Sequence, residues 1–329
     1  MRAYWVRDRP GRPGGGRRTL VEARGPADTP SGRLAVVCPA YGRRMGDRRI
    51  DTLVEGGSFF EGPRWHDGRW WASDFYRHTV FAVDPSGGQD AVLTVEGQPS
   101  GLGWRPDGTL LVVSMKDRLL LGRSLEGAVD VVADLTPFAG GSLNDMVVDA
   151  EGRAYVGNFG FDLMSGERPR LADLVRVDPD GTVAVAAEGL KFPNGAVITP
   201  DGATLVVGET TGGALTAFTV GAGGELTGRR TWAETSGVAP DGIALDVEGR
   251  IWVADGGGGP VLLVAEGGEV VDRVQQPDGL GVYACMLGGE DGRTLLMCAA
   301  PDYFEHNRAR AREAVLLTTT VDVPRAGLP

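Results

Sequence analysis

One short phrase recurs along this chain, with a different polar residue in its first position, called here the leading residue. Its copies read EGPRWHDG, SGLGWRPDG, NDMVVDAEG, NGAVITPDG and DGIALDVEG, led by Glu61, Ser100, Asn144, Asn194 and Asp241, with a degenerate sixth copy led by Ala284. Successive leading residues are 39, 44, 50, 47 and 43 residues apart. Each copy is a mostly apolar run and a turn that ends in Asp-Gly or Glu-Gly, followed by a second apolar run. This order indicates a β-hairpin. A hairpin repeat of this period predicts an all-β fold, a six-bladed β-propeller.

The ends of the chain suggest how the ring closes. The apolar segment IDTLVEGG at 50–57 is expected to supply the outer strand of the sixth blade, so that no sheet edge is left open at the closure. The propeller is therefore predicted over 50–323, followed by a short tail at 324–329. Residues 1–49 are rich in Arg, Gly and Pro and lack periodicity, so we expect a disordered or mis-translated basic leader there.

Composition excludes several classes of partner. Residues 51–329 carry 40 acidic and 21 basic residues, which argues against nucleic acid as a partner. No run approaches 18 apolar residues, so no membrane partner is expected. The 3 cysteines do not form a disulfide framework, and a cytoplasmic location is expected. The oligomeric state cannot be read from the sequence.

The leading residues are predicted to face one another, because the innermost strands of a propeller line its central channel. Glu61, Asn144, Asn194 and Asp241 would place two carboxylates and two amide oxygens there. Two buried carboxylates repel unless a cation compensates their charge. Hard oxygen donors predict one divalent cation, Ca²⁺ first, with Mg²⁺, Mn²⁺ or Zn²⁺ as alternatives.

A simpler interpretation is that these residues only form turns, because Asn-Gly and Asp-Gly are ordinary turn sequences. Each copy, however, already has its turn six or seven residues later, which disfavours that interpretation. Asp145 follows Asn144 and could orient it, or cap a local turn. Glu209 and Asp255 end second strands and are interpreted as rim charges.

A long insertion interrupts the third blade. Residues 158–172, NFGFDLMSGERPRLA, include Phe159 and Phe161. They are expected to form either an apolar wall or lid over a pocket, or a surface loop with its own small cluster.

The chain resembles a known family at these same residues. FFEGPRW, SLNDMVVDAEGRAYVGNFG, KFPNGAVITPDGATLVVGET and APDGIALDVEGRIWVAD are similar to the senescence-marker-protein, gluconolactonase and luciferin-regenerating-enzyme family of six-bladed propellers, and the resemblance runs from about Leu53 to Ala300. It places Glu61, Asn194 and Asp241 on metal-binding positions, and Asn144 on an Asn that binds metal or substrate.

The resemblance implies a metal-dependent hydrolase that opens lactones or related cyclic esters and, in distant relatives, phosphoryl–fluoride bonds. The metal would polarise the carbonyl, and Asp241 would activate water or attack as a nucleophile. Sugar-lactone hydrolases of the family carry an Arg where this chain has Ser142, so a less polar lactone or ester is expected. Asn144, Ser142, Phe159 and Phe161 are the predicted substrate-binding residues.

Two other functional hypotheses remain open. A propeller can bind without catalysis, with a metal that only stabilises the fold. A strictosidine-synthase-like propeller would join two substrates without a metal. Metal content after purification distinguishes this second reading from the others.

Overall fold

The computed structural model describes residues 48–235 and 237–328. The leader predicted for residues 1–49 therefore lies outside the described residues, apart from its last two. Of these, Arg48 makes an ion pair with Asp272, at 2.7 Å.

The described chain forms six four-stranded antiparallel sheets. In chain order the strands of the first three sheets are β2 (Phe60–His66), β3 (Arg69–Asp74), β4 (Thr79–Val83) and β5 (Gln89–Thr94); β6 (Pro99–Trp104), β7 (Leu110–Ser114), β8 (Leu119–Arg123) and β9 (Val129–Asp134); and β10 (Leu143–Val148), β11 (Ala154–Asn158), β12 (Ala172–Val177) and β13 (Val183–Leu190). The next two sheets are β14 (Pro193–Ile198), β15 (Thr204–Glu209), β16 (Ala214–Val220) and β17 (Leu226–Glu234); and β18 (Pro240–Leu245), β19 (Ile251–Asp255), β20 (Val261–Val264) and β21 (Val270–Val274). Each sheet is one blade, which confirms the predicted six-bladed β-propeller.

The sixth blade joins the two ends of the propeller. Its strands are β22 (Gly281–Gly288), β23 (Thr294–Ala300), β24 (Ala314–Thr320) and β1 (Asp51–Gly57), the last pairing with β24 at the outer edge. The prediction that residues 50–57 supply this strand is confirmed. The ring closes through backbone hydrogen bonds, which protects an edge that would otherwise be open.

The core lies between the blades. Inner strands are packed on both faces, so β10 and β14 are buried along their whole length, while outer strands such as β5 are largely exposed. Large side chains that are fully buried include Trp252, Tyr155 and Leu102. Burial of this kind accounts for the continuous apolar runs in the repeated phrase.

The segment predicted as a C-terminal tail is bonded to three blades. Residues 325 and 328 form β-bridges with Asp246 and Ile198, and the Ala326 amide donates to the carbonyl of Leu245 at 2.9 Å. These partners stand at the ends of inner strands β14 and β18, opposite the leading residues. The Arg325 amide also donates to the carbonyl of Gly292 in blade six at 2.9 Å, so the segment binds blades four, five and six at the end of the propeller away from the leading residues.

Helix is scarce in the described chain. There is one 3-10 turn, Phe75–Arg77, and one short helix, α1 (Glu305–Arg308). Between residues 48 and 328, no helix combines the length and apolarity needed to cross a membrane.

Candidate metal centre and active site

A β-bulge sets the direction of each leading residue. In the fifth blade Pro240 pairs with Asp255 and Ile243 pairs with Val253, so three steps on the inner strand match two on its neighbour. The inner strands of blades two, three and four have the same irregularity at the same place, and in blades one and six it begins one residue later, at the leading residue itself. A bulge re-aims side chains and often lies beside a functional site, and here it contains the leading residue.

The strand register corrects the sixth copy of the phrase. Gly281 pairs with Ala300 and Ala284 with Cys298, so Val282 holds the leading position and Ala284 lies two residues beyond it. The sequence placed Ala284 there because the phrase was aligned on its turn. The sixth hairpin is longer, with an inner strand of 8 residues, so counting back from the turn falls short.

Glycines after the leading residues let the inner strands approach closely. A Cβ on Gly62 would lie 2.6 Å from the carbonyl oxygen of Ser100 in the next blade. A Cβ on Gly195 would lie 2.7 Å from the carbonyl oxygen of Asp241. Both distances are too short for any side chain, so these glycines bring neighbouring leading residues together.

Hydrogen bonds link three of the four predicted metal ligands, Asn144, Asn194 and Asp241, directly or through the residue that begins strand β14. The Asn194 Nδ2 donates to the Asp241 Oδ1 at 2.5 Å and to the Thr210 Oγ1 at 3.2 Å. The Asn144 Nδ2 donates to the carbonyl of Pro193, the residue before Asn194, at 3.4 Å. Both amide nitrogens are thus engaged, and neither amide oxygen accepts a hydrogen bond from the described residues.

Glu61 joins this group through electrostatics. Burial raises the pKa of Glu61 to about 8, and the charge of Asp145 adds to the rise, while the Gly62 amide and Arg64 oppose it. The pKa of Asp241 is also raised well above its usual value, first by burial and then by the charge of Glu61. The charge of Glu61 therefore disfavours the ionised form of Asp241.

The donor set fits a divalent cation. Glu61, Asn144, Asn194 and Asp241 offer only oxygen donors, and the two amide oxygens have no partner among the described residues. Neighbouring Asp145 and Arg64 form an ion pair, so Glu61 and Asp241 leave two uncompensated negative charges when ionised. A 2+ ion would neutralise them. In the described chain no three His, Cys, Asp or Glu side chains form a metal cluster, because half of this set is amide.

A buried arginine, Arg64, supports the channel and was not predicted from the sequence. Its Nε donates to the carbonyl of Leu102 at 2.9 Å, and its Nη2 donates to the Asp145 Oδ1 at 2.6 Å. It therefore links the first three blades. Asp145, which could have oriented Asn144, instead holds Arg64 and its own neighbour, the Met146 amide. The sequence did contain one indication of this role, because Arg64 is a charged residue in the middle of an otherwise mostly apolar inner strand.

Three acidic side chains bind backbone amides just before the leading residues Glu61, Asn194 and Asp241. The carboxylate of Asp74 accepts from the amides of Ser58 and Phe59, and Glu209 accepts from the Lys191 amide at 2.7 Å. Asp255 accepts from the amides of Ala239 and Gly257. Glu209 and Asp255 are buried, so their interpretation as rim charges was wrong. The sequence predicted that Glu209 and Asp255 end strands, but it did not indicate which backbone amides they bind.

The predicted substrate-binding residues lie at the mouth of the channel on the third blade. Ser142 is partly exposed, and its carbonyl accepts from the Phe159 amide at 2.9 Å. Phe159 and Phe161 are buried and pack on Phe192, with ring centroids 4.5 and 5.7 Å away. The insertion is therefore anchored by its own aromatic cluster, close to the strand that carries Asn194.

A second aromatic cluster, unpredicted, lies on the side of Glu61 and Asp241. Phe59 contacts Phe75, Tyr76 and Tyr283, and Tyr283 in turn contacts Tyr303. We call these five residues the aromatic wall. Its members come from blades one and six, which are far apart in sequence, so no local pattern reveals them.

The loop at 301–313 crosses from blade six over blade one to blade two. The Tyr76 hydroxyl donates to the carbonyl of Tyr303 at 2.6 Å. Further on, Glu305 makes an ion pair with Lys116 at 2.8 Å and accepts from the Gln98 side chain at 3.3 Å. This loop therefore covers part of the channel mouth, a role considered from the sequence only for the insertion at 158–172.

Comparison with known proteins agrees with this architecture. The profile of the SMP-30/Gluconolactonase/LRE-like region matches residues 59–301. The chain belongs to this family.

Named relatives cover most of the chain. A pentonolactonase of Haloferax volcanii is 28% identical over 77% of this chain and 84% of its own length. A 6-deoxy-6-sulfogluconolactonase of Pseudomonas putida is 27% identical over 79% of this chain and 89% of its own. Among solved structures, a calcium-binding regucalcin from Agrobacterium tumefaciens superposes with a TM-score of 0.72 at 21% identity, covering 87% of this chain and 97% of that one.

Proposed function

We propose that this protein is a divalent-cation-dependent hydrolase that opens a lactone or related cyclic ester. The observation that carries the proposal is the presence of two carboxyls with raised pKa values, Glu61 and Asp241, beside two amide oxygens that lack protein donors. Membership in a family with two relatives named as lactonases supports the same reaction.

The cation would be held by Glu61, Asn144, Asn194 and Asp241, with Ca²⁺ as the first candidate. When bound, it supplies Lewis-acid polarisation of the substrate carbonyl and lowers the pKa values of both carboxyls. The calcium-binding regucalcin of similar fold supports this choice of ion.

Asp241 is the proposed general base. Asn194 engages its Oδ1, and its Oδ2 lies beside Gly256, 3.1 Å from where a Cβ would stand. Asp241 as a residue is also partly exposed. It is thus oriented and accessible at once, as a base must be. Water adds to the carbonyl carbon and gives a proton to Asp241, which returns it to the ring oxygen when the C–O bond breaks.

The substrate is proposed to be apolar around its lactone ring. Ser142 is short and neutral, and it lies two residues before Asn144. Other polar side chains near the mouth are engaged: Asp74, Glu209 and Asp255 hold backbone amides. Phe161 is only 2% exposed, so it would support Phe159 and Phe192 in the pocket wall.

The test is hydrolysis of γ- and δ-lactones and phenyl acetate in a pH-stat. Protein stripped with EDTA is assayed alone and after addition of Ca²⁺, Mg²⁺, Mn²⁺ or Zn²⁺. The proposal predicts activity restored by a cation and absent from Asp241→Asn, while Asp180→Asn, in an exposed turn, keeps full activity. Tight cation binding without turnover would indicate a binding propeller. Turnover without any cation would contradict the proposed role of the metal.

A further inference from the structure

Tyr283 breaks the pattern of the inner strands. The position after the leading residue is glycine in four blades, Gly62, Gly101, Gly195 and Gly242, and in the sixth blade the register places Tyr283 there. In the third blade this position is Asp145, so among the described blades Tyr283 is the one aromatic side chain at this point of the closely packed ring.

The ring of Tyr283 is held within the aromatic wall. Its centroid lies 5.1 Å from that of Phe59 and 6.0 Å from that of Tyr303. The residue is 5% exposed, and its hydroxyl lies beside the backbone of Gly258 and Gly281. A Cβ on Gly281 would stand 2.9 Å from that hydroxyl, so glycine is required there.

The Tyr283 hydroxyl has no hydrogen-bond partner among the described residues. The neighbouring Tyr76 differs, because its hydroxyl donates to the carbonyl of Tyr303. A tyrosine hydroxyl that no protein group accepts from is available to donate a hydrogen bond to a bound ligand.

The Tyr283 hydroxyl is also close enough to Asp241, the proposed base, for the charge of that carboxylate to affect its pKa. Burial raises the pKa of Tyr283, and the charge of Asp241 is the next largest cause. Both effects keep the phenol protonated, so it remains a hydrogen-bond donor throughout the neutral pH range.

We propose that the Tyr283 hydroxyl donates a hydrogen bond to the ring oxygen of the lactone while the C–O bond breaks. This rests on the proposed hydrolase function and assigns a catalytic residue to its second step. Negative charge develops on the ring oxygen at that step, and a donor placed there stabilises it. The proton that completes the alcohol comes from Asp241, which received it from water, so Tyr283 keeps its own.

A purely structural role makes a different prediction. If the ring only fills space between Phe59 and Tyr303, phenylalanine would serve equally well for every substrate. A donor to the leaving oxygen matters in proportion to how poor the leaving group is, because a good leaving group departs with little stabilisation.

The experiment compares Tyr283→Phe with wild type, both full-length and loaded with the cation that restores activity. Four substrates span the leaving groups: δ-valerolactone, dihydrocoumarin, phenyl acetate and 4-nitrophenyl acetate. We expect kcat for δ-valerolactone to fall by about 10- to 100-fold, the loss of one hydrogen bond to a charged oxygen. For 4-nitrophenyl acetate we expect a fall of about threefold or less, with KM nearly unchanged for all four.

Tyr76→Phe is the matched control, since it removes a buried hydroxyl from the same wall. Any rate change it causes should be equal across the four substrates. Cation affinity, measured by calorimetry, should be the same in Tyr283→Phe and wild type. An equal effect of Tyr283→Phe on all substrates, or none, would overturn the proposal and leave the hydrolase intact. A wild type that hydrolyses none of the four with any cation would overturn both.

Discussion

The cation-free protein should lose stability as pH rises, and Glu61→Gln should remove the part of that loss that Glu61 causes. Burial raises the pKa of Glu61 from 4.5 to about 8, so between these values the folded protein holds a proton that the unfolded chain releases. The unfolded state is then favoured as pH rises through this window. One pKa unit corresponds to about 1.4 kcal/mol, so between pH 5 and pH 8 the titration of Glu61 alone should lower the stability of the wild type by about 3 to 4 kcal/mol.

Glutamine has nearly the same shape and does not titrate, so Glu61→Gln lacks this loss. It also removes the charge that raises the pKa of Asp241, which acts in the same direction. In EDTA at pH 8 the variant should therefore be more stable than wild type. With saturating Ca²⁺ the order should reverse, because the folded wild type gains binding free energy that the variant lacks.

The assay is urea unfolding followed by tryptophan fluorescence at pH 5, 6, 7 and 8, with EDTA or with Ca²⁺. Glu55→Gln, on the exposed face of β1, is the control and should change stability by less than about 0.5 kcal/mol at every pH. A difference between wild type and Glu61→Gln that stays constant from pH 5 to pH 8 in EDTA would refute the reasoning.

Three further predictions concern the scaffold of the site. Arg64→Met should lower the free energy of unfolding by about 3–5 kcal/mol, because it leaves Asp145 buried and unpaired, and adding Asp145→Asn should recover part of the loss; urea unfolding of both variants checks this. Gly195→Ala should cost about 1–3 kcal/mol and weaken cation binding measured by calorimetry, because its Cβ would lie 2.7 Å from backbone atoms of the next blade, whereas Gly223→Ala, facing a flexible glutamate, should do neither. Deleting residues 324–329 removes backbone hydrogen bonds to three blades and should cost about 2–4 kcal/mol; an unchanged melting temperature would contradict the role assigned to that segment.

The repeated phrase was sufficient to predict the propeller, because each copy contains a complete hairpin and its turn. Closure by residues 50–57 was also predictable, since an apolar strand without a local partner had one open edge available. The leading position of blade six was not, because a longer hairpin displaces Val282 from the spacing of the other copies.

Contacts between residues of different blades could not be predicted from the sequence. Arg64 spans three blades, and nothing local indicates that its partner is Asp145. Tyr303 reaches the channel only because the loop at 301–313 crosses two blades. Repeat spacing predicts which residues are equivalent, but it does not predict which loops fold over the channel.

The most direct test of the central claim is calorimetric titration of Ca²⁺ into EDTA-stripped protein at pH 7, in two buffers with different ionisation enthalpies. Because burial raises the pKa of Glu61 to about 8, cation binding at pH 7 should displace the Glu61 proton, and the raised pKa of Asp241 acts in the same direction. The account predicts one cation per chain, at least one proton released, and loss of binding in Asp241→Asn. No binding, or binding without proton release that survives in Asp241→Asn, would contradict it.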